Sequence, residues 1–418
     1  MSSGLRRLLG RALTSSWWTV TLQLPRRLQE RGCYRAPKLK LNEPTGPVAF
    51  IIDDRWPEPD RDSGSLDAVN LISSLVAFGY HTIVAKSTSL AQDLRYLQLL
   101  REMGAVPYEP EGVASIRSFI QRNAKDIPVF VLTRMGAGGQ FLELIRENAP
   151  DARVIFNTVD LHFLREARAA LISSDRAVLK QAARTRKRER FLVAQADLTI
   201  IVSEAERDIL TKAVSGAKLL HLPLARQVRR PQTSFQDRVG LGFVGGFSHE
   251  PNRDAIRYFL AEIWPTVDAA LPGVGFEIVG ADLPPGMLTG VPGNVRYLGQ
   301  INDLNAWLDG LRLSVAPLRI GAGAKGKVAS SLCAGLPCVA SPVATEGMGL
   351  TCGKEILVAS TAAEFAAKIV RIYSDPVLWG KISSGAWHFA EDTLSEQRFR
   401  TRLRDALIEL NLPALPEA

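Results

Sequence analysis

The 418-residue sequence has no apolar run of about 20 residues, the length that a membrane-spanning helix needs. It has only four cysteines, none of them in a C-x-x-C pair, and five histidines. These absences argue against a zinc site or a disulfide framework and favour reduced thiols, as in a cytosolic protein. The cysteines are Cys33, Cys333, Cys338 and Cys352.

Positive charge is concentrated at the start of the chain. The net charge is +8, and residues 1–40 hold nine lysines and arginines but one acid. The rest of the chain has 42 basic and 42 acidic residues, so it lacks the basic excess typical of nucleic-acid-binding proteins. We therefore predict no nucleic-acid partner.

Residues 1–45 form a basic extension whose apolar residues recur at helical spacing. Trp17 and Trp18 suit the boundary between a membrane and water, and the arginines fall largely off the apolar face. Three interpretations stay open: a helix lying on an anionic membrane through residues 1–40, a helix docked on protein, or a disordered linker. We do not predict a secretory signal, because Arg11 and the polar residues after it interrupt the apolar part.

Strands and helices alternate in two successive stretches along the body of the chain, which predicts α/β architecture with parallel sheets. The predicted strands are 46–52, 81–85, 128–133, 153–158 and 198–202, followed by 240–245, 275–280, 294–299, 313–317, 337–341 and 355–359. We predict two Rossmann-like doubly wound domains in tandem, at 46–225 and 239–390, with a linker at 226–238 and a C-terminal helix, 391–418, packing back on the first domain. Ligands of such sheets bind beyond the carboxyl ends of the strands, so the cleft between the domains is the expected site.

A double glycine ends the first strand of the second predicted domain. Gly245, Gly246 and Phe247 lead from that strand towards a helix. Glycines let backbone N–H groups approach a phosphate, and the start of a helix attracts negative charge. A tight turn that serves packing alone is an equally good interpretation.

A longer loop, A-P-L-R-I-G-A-G-A-K-G-K at 316–327, opens a later helix. Arg319, Lys325 and Lys327 would surround a diphosphate, with flexible glycines between them. The alternative is a solvated basic loop. A Walker phosphate loop does not fit, because Val328 follows the last lysine where serine or threonine is required.

Both halves of the chain resemble glycosyltransferase family 4, of the GT-B fold, in a subgroup with a G-A-G-x-K-G-K loop. The resemblance covers residues 46–410. Besides the loop, it rests on the motifs A-G-L-P-C-V (334–339), A-T-E-G-M (344–348), D-R-D-S-G-S (60–65), T-V-D-L-H-F-L-R-E (158–166) and A-D-L (196–198).

The resemblance implies roles for individual residues. Donor-binding residues are expected at Gly245, Gly246, Phe247, Gly321, Gly323, Gly326, Lys327 and Glu346. Acceptor-binding residues are expected at Arg55, Asp62, Ser63 and Gly64. The catalytic candidates are Arg319, Lys325, Asp160 and His162. The chain departs from the family in having Ala322 and Ser330 where two glutamates are usual and Val159 where a histidine is common.

The expected function is that of a retaining glycosyltransferase of the hexosyltransferase type. It would take a nucleotide-diphosphate sugar as substrate, need no cofactor or metal, and act on a glycan or lipid-linked acceptor in bacterial cell-surface polysaccharide synthesis. The only D-x-D spacing, Asp60-Arg61-Asp62, flanks an arginine and does not suggest a metal site. The expected location is cytoplasmic, peripheral on the membrane if the extension binds there.

Two other functions stay open: a degenerate GT-B scaffold and a sugar-nucleotide epimerase of the same fold. The epimerase would need acid/base carboxylates in the cleft, and few candidates are visible. The basic stretch 184–190 is best interpreted as a solvated helix face, and contact with an anionic lipid-linked acceptor is the alternative.

Overall fold

The computed structural model describes residues 46–173 and 175–414. The N-terminal extension, for which membrane contact was one interpretation, therefore lies outside the described residues. The described chain forms two α/β domains, one around a seven-stranded sheet and one around a six-stranded sheet. The predicted fold class, tandem doubly wound domains, is confirmed.

The N-terminal domain alternates strands and helices along the chain. Its elements are β1 (Val48–Asp53), α1 (Ser63–Ala77), β2 (His81–Lys86), α2 (Leu94–Glu102), β3 (Val106–Tyr108), α3 (Val113–Asn123), β4 (Val129–Thr133), α4 (Leu142–Asn148), β5 (Arg153–Asn157), α5 (His162–Ser173), α6 (Arg176–Gln195), β6 (Leu198–Ile201), α7 (Glu204–Ala213) and β7 (Leu219–His221). Short 3₁₀ turns lie at Ala124–Asp126 and Gly138–Phe141. The strand order is β3-β2-β1-β4-β5-β6-β7, and every pairing is parallel.

The C-terminal domain repeats the pattern. Its elements are β8 (Val239–Val244), α8 (Glu250–Tyr258), a π-helical turn (Phe259–Ile263), α9 (Trp264–Ala270), β9 (Phe276–Val279), β10 (Val295–Gly299), α10 (Leu304–Gly310), β11 (Leu311–Ala316), α11 (Gly326–Cys333), β12 (Cys338–Ala340), α12 (Pro342–Thr345), β13 (Leu357–Val358), α13 (Ala362–Ser374), α14 (Pro376–Thr393) and α15 (Glu396–Glu409). The strand order is β10-β9-β8-β11-β12-β13, again parallel.

Alternation along a strand sends side chains to both faces of each sheet. On β1, Phe50 and Ile52 join the apolar cluster on one face, and Ala49 and Ile51 join the cluster on the other. Because helices cover both faces, the strand is apolar at every one of these positions, as parallel strands usually are.

The last helix, α15, packs on the N-terminal domain. Phe399, Leu403 and Leu407 belong to the same buried cluster as Leu71 of α1. The chain therefore returns from the second domain and packs against the first.

The helical segment that follows β8 is not continuous. The structure divides it into α8, the π-helical turn and α9. Pro265 lies in the first turn of α9 and has no N–H to donate, so a regular α-helical bond is lost there. The widened turn accommodates that loss.

Candidate active site

The two domains meet across a narrow cleft at the carboxyl ends of both sheets. A β-carbon placed on Gly326 would lie 2.1 Å from the Ser63 hydroxyl oxygen, and one placed on Gly323 would lie 3.1 Å from the Asp160 β-carbon. Further along, the Glu204 N–H donates to the Gly347 carbonyl at 3.0 Å. Loops of the two domains are thus in direct contact, and glycine is needed where they approach most closely.

Lys325 lies at the start of α11 inside this cleft. Its ammonium donates to the carbonyls of Ala322, at 2.7 Å, and of Gly323. The pKa of Lys325 is lowered to about 8, first by burial and then by the Arg168 charge, and the carboxylates of Asp160 and Glu346 partly oppose this shift. The lysine therefore carries its charge at neutral pH. It lies beside the N-terminus of a helix, and both the ammonium and the helix N-terminus attract an anion.

The other loop lysine, Lys327, supports the double-glycine turn. Its ammonium donates to Asn252 Oδ1 at 2.7 Å, while Asn252 Nδ2 donates to the Gly246 carbonyl at 2.7 Å. It also lies 4.9 Å from the centroid of the Phe243 ring, and burial lowers its pKa to about 7. A β-carbon on Gly245 would collide with the Asn252 side chain, at 2.7 Å.

Phe247 contributes packing to the same turn. Its ring is buried and lies edge-on to Tyr297 of β10, with 6.2 Å between ring centroids. The predicted donor residues Gly245, Gly246 and Phe247 therefore form one turn, and Lys327 of α11 is connected to it through Asn252.

The structure does not bring Arg319 to Lys325. Its guanidinium is bound by both oxygens of Asp254, with Nε at 3.0 Å, and it covers the Tyr258 ring at 4.9 Å. Its side chain is 47% exposed. The sequence prediction of a joint Arg319–Lys325 clamp is therefore not what the structure shows, because a carboxylate of α8 already satisfies the arginine.

Across the cleft, Asp160 and His162 lie in contact after β5. His162 Nε2 is 3.2 Å from Asp160 Oδ1, and Arg165 binds the other oxygen of the same carboxylate. Burial lowers the pKa of His162, and the Asp160 charge opposes this. The histidine is therefore mostly neutral at pH 7 and can exchange a proton with a bound hydroxyl.

Two buried glutamates fix the loop that carries these residues. Glu189 accepts hydrogen bonds from the N–H groups of His162 at 2.9 Å and Phe163 at 3.1 Å. Glu206 accepts from Leu161 at 2.9 Å, and from the end of β6. Burial raises the pKa of Glu189 to about 8 and that of Glu206 to about 7. Sequence inspection missed both, since each comes from a helix distant in the chain.

Strained backbone marks the same region. Val159 and Arg134 have φ of 62° and 60°. This conformation is rare for any non-glycine residue and is a genuine outlier for a β-branched one. Such backbone strain is characteristic of functional sites. Arg134 binds the carboxylates of Asp53 and, at 3.1 Å, Asp54. Burial raises the pKa of Asp53 to about 6.

Three predicted acceptor residues, Asp62, Ser63 and Gly64, lie at the start of α1, and Arg55 lies just after β1. Asp62 caps the helix, accepting from the Ser65 N–H at 2.8 Å, and Ser63 Oγ receives a hydrogen bond from Arg226. Gly64 lies beside the Arg134 guanidinium; a β-carbon there would be 3.3 Å away. Arg55 is half-exposed and contacts the Asp54 carboxylate at 3.5 Å.

Arg168 and His249 were not predicted from the sequence. Arg168 of α5 reaches across the cleft and binds both carboxylate oxygens of Glu346, each at 2.7 Å. It also donates to the Gly321 carbonyl. His249 is the N-cap residue of α8, and its pKa is lowered by burial and then by the charges of Arg165 and Lys327. Neither lies in a recognisable motif, and only the closure of the domains brings them to the site.

Within residues 46–173 and 175–414, no group of histidine, cysteine and acidic side chains is arranged to hold a metal ion. Asp60, part of the D-x-D spacing, instead accepts hydrogen bonds from Arg95 at 2.8 Å and Tyr96 at 2.8 Å.

Burial raises the pKa of the Cys333 and Cys338 thiols to about 12. No helix among the described residues combines the length and apolar character that crossing a bilayer would demand.

The basic helix α6 divides its charges between contacts and solvent. Arg188 binds Glu143, Arg186 covers the Phe163 ring at 5.8 Å, and Arg184 and Lys187 are exposed. Part of the stretch 184–190 therefore stabilises the domain, and part is available to a partner.

Comparison with known proteins agrees with this architecture. Residues 238–375 match the family described as "Glycosyl transferases group 1". The chain has the GT-B fold. A sucrose-phosphate synthase from Thermosynechococcus elongatus aligns with a TM-score of 0.68 at 14% identity, over 88% of this chain and 99% of that one.

Two further structures are similar. HepE from Anabaena, in complex with UDP-glucose, aligns with a TM-score of 0.63 at 14% identity, over 87% of this chain and 99% of that one. A glycosyltransferase from Rickettsia africae aligns with a TM-score of 0.63 at 10% identity, over 88% of this chain and 99% of that one. A comparison with curated proteins gives no match. The family match falls almost entirely within the C-terminal domain.

Proposed function

We propose that the protein is a retaining glycosyltransferase that uses a nucleotide-diphosphate sugar and needs no metal ion. The observation that carries this proposal is the closed cleft, in which the loop opening α11 lies directly opposite Asp160. A nucleoside diphosphate would bind on the C-terminal side and an acceptor hydroxyl on the N-terminal side. The match of residues 238–375 to group 1 glycosyltransferases supports the donor assignment.

Breaking the glycosidic bond of the donor leaves negative charge on the departing diphosphate. Lys325 and the start of α11 supply positive charge where that diphosphate would lie. A preorganised cation in a site sheltered from water stabilises such a leaving group strongly, since no solvent must reorient. In this proposal Lys325 exchanges its bonds with backbone carbonyls for bonds with phosphate oxygens.

The acceptor side contributes Asp160 and His162. Their contact gives a polar pair that can hold an acceptor hydroxyl and receive its proton as the new bond forms. Arg55, Asp62, Ser63 and Gly64 would border the rest of the acceptor.

Solved structures suggest which substrates to test first. HepE was crystallised with UDP-glucose, and TarM from S. aureus with UDP and α-GlcNAc-glycerol. We therefore take UDP-glucose as the first donor probe and a glycan or lipid-linked sugar as the acceptor class. Action in cell-surface polysaccharide synthesis, on the cytoplasmic side of a membrane reached through residues 1–40, belongs to the same proposal.

A second candidate is a nucleotide-binding scaffold that has lost turnover. It is favoured by Ala322, which stands where family 4 members usually have a glutamate and is buried in the apolar cluster of the N-terminal domain. Donor consumption followed by NMR separates the two functions, because a scaffold would bind UDP-glucose without consuming it.

The test of the leaving-group role is Lys325→Met, with the exposed Lys381→Met as the matched control. We expect turnover of the donor to fall about 10²–10³-fold in the first variant and to be unchanged in the second. Wild-type turnover should also decline above pH 8, where Lys325 loses its proton. Near-full turnover by Lys325→Met on a donor that the wild type consumes would contradict the assignment.

A further inference from the structure

Arg168, on the N-terminal domain, joins two segments of the opposite domain. It lies on α5, six residues beyond His162. Its guanidinium binds both oxygens of Glu346, which follows α12, and the carbonyl of Gly321, in the loop after β11. One side chain therefore fixes the distance between these segments and their position against the other domain.

The Gly321 end of the loop depends on such support. Gly321 has φ of 150° and Gly323 φ of 65°, and because glycine is conformationally permissive, contacts with other segments must hold the loop in this one shape. A β-carbon at Gly321 would lie 2.9 Å from Lys325 Cε, which shows how closely the loop wraps the lysine. Moving the Gly321 carbonyl would therefore move Lys325.

Charge gives a second reason for the contact. Glu346 lies close enough to Lys325 to influence its pKa, and so does Arg168, with the opposite sign. Without Arg168, the Glu346 carboxylate would be left uncompensated beside the place proposed for a diphosphate. Its repulsion would weaken nucleotide binding.

We propose that Arg168 is a positioning residue that couples closure of the cleft to assembly of the donor site. It holds the Gly321–Lys325 loop in its binding shape and neutralises Glu346, without touching the reacting atoms. The nucleotide-binding arm of this inference rests on the proposed function, whereas the loop-ordering arm does not.

The experiment compares Arg168→Met with Arg188→Met in the full chain. Arg188 is a close match, because it also binds both oxygens of a glutamate, Glu143, and a glycine carbonyl, that of Gly139, but inside the N-terminal domain. Amide hydrogen exchange of the ligand-free proteins reports on residues 318–326, and calorimetry reports on affinity for UDP. We expect Arg168→Met to raise exchange of this segment about tenfold and to weaken UDP binding about tenfold, within the usual range of coupling between sites. Arg188→Met should change neither.

Two more variants separate tethering from charge. Arg168→Lys keeps the charge but not the two-pronged geometry, so UDP affinity should be largely retained while exchange of the loop rises. The double variant Arg168→Met with Glu346→Gln removes both charges, so it should recover UDP affinity relative to Arg168→Met but not loop protection.

The proposal is overturned if Arg168→Met and Arg168→Lys both leave exchange of residues 318–326 at the wild-type level. It is equally overturned if Arg188→Met loosens the loop to the same extent. If the wild type binds no UDP, the proposed function fails, and the exchange measurement still decides the role of Arg168.

Discussion

Replacing Lys327 by methionine isolates the cost of keeping a charged group beneath the double-glycine turn. The ammonium lies among Asn252, the Phe243 ring and the start of α11, and burial lowers its pKa from 10.5 to about 7. Methionine has a similar length and no charge, so the main change is the loss of a titrating group together with one hydrogen bond to Asn252.

The sign and size of the effect follow from proton binding. Between pH 7 and 10.5 the unfolded chain holds the Lys327 proton more tightly than the folded protein does, so stability rises with pH across this window. Each pH unit of difference in pKa corresponds to about 1.4 kcal/mol. The lysine therefore lowers the free energy of unfolding by roughly 4 kcal/mol at pH 7 and by roughly 2 kcal/mol at pH 9.

The assay is urea unfolding of wild type and Lys327→Met at pH 7 and pH 9. From pH 7 to pH 9, the free energy of unfolding of the wild type should rise by about 2 kcal/mol relative to that of the variant. Lysine NMR with a ¹³C-labelled ε-carbon gives a direct check, because a resonance titrating near pH 7 should be missing from the variant. If the stability difference is the same at both pH values, Lys327 is not a buried titrating group and the reasoning fails. Lys381→Met serves as the exposed control.

Two further predictions concern the closed cleft and the loop opposite. Gly326→Ala should lower turnover at least about tenfold and enlarge the radius of gyration in solution scattering, because its β-carbon would collide with Ser63. Gly310→Ala, whose β-carbon would meet nothing within 4 Å, is its control, and equal activity in the two would argue against a closed working state. Between pH 5 and pH 8, the free energy of unfolding of Glu189→Gln in urea should rise by roughly 3 kcal/mol relative to that of the wild type. The reason is that the wild-type protein loses stability as pH rises above the ordinary pKa of a glutamate, because folding raises the pKa of Glu189 to about 8. Parallel pH profiles of these two proteins would rule out the buried carboxyl.

The central strands were predictable from the sequence because burial on both faces leaves continuous apolar runs. β1, β4 and β8 lie within two residues of their predicted limits. The edge strands β3 and β7 were missed, since each has three residues and β3 contains Pro107, which argues against a strand. The helix α7 lies in a segment for which no element was predicted, and its sequence is mostly polar.

The site was predictable only where one motif carries its own geometry. The turn at Gly245 and the loop from Gly321 to Lys327 are local, so their glycines and lysines could be recognised. Arg319 shows the limit of such recognition: a basic residue in a phosphate-like loop is held by Asp254, 65 residues away in sequence. Arg168 and Glu206 act through contacts between distant segments, which no local pattern reveals.

Ala322 connects these points to the resemblance between the sequence and family 4. Many members of the wider family that the sequence resembles have a glutamate at that place, whereas here the side chain is 8% exposed and belongs to the apolar cluster of the N-terminal domain. A carboxylate could not occupy this position without a partner, because burying an unpaired charge is costly. The nearby negative charge is supplied instead by Glu346, which already has its partner in Arg168. At Ala322 the cleft therefore has apolar contact between the domains, and the ion pair between Arg168 of α5 and Glu346 holds the neighbouring loop in place.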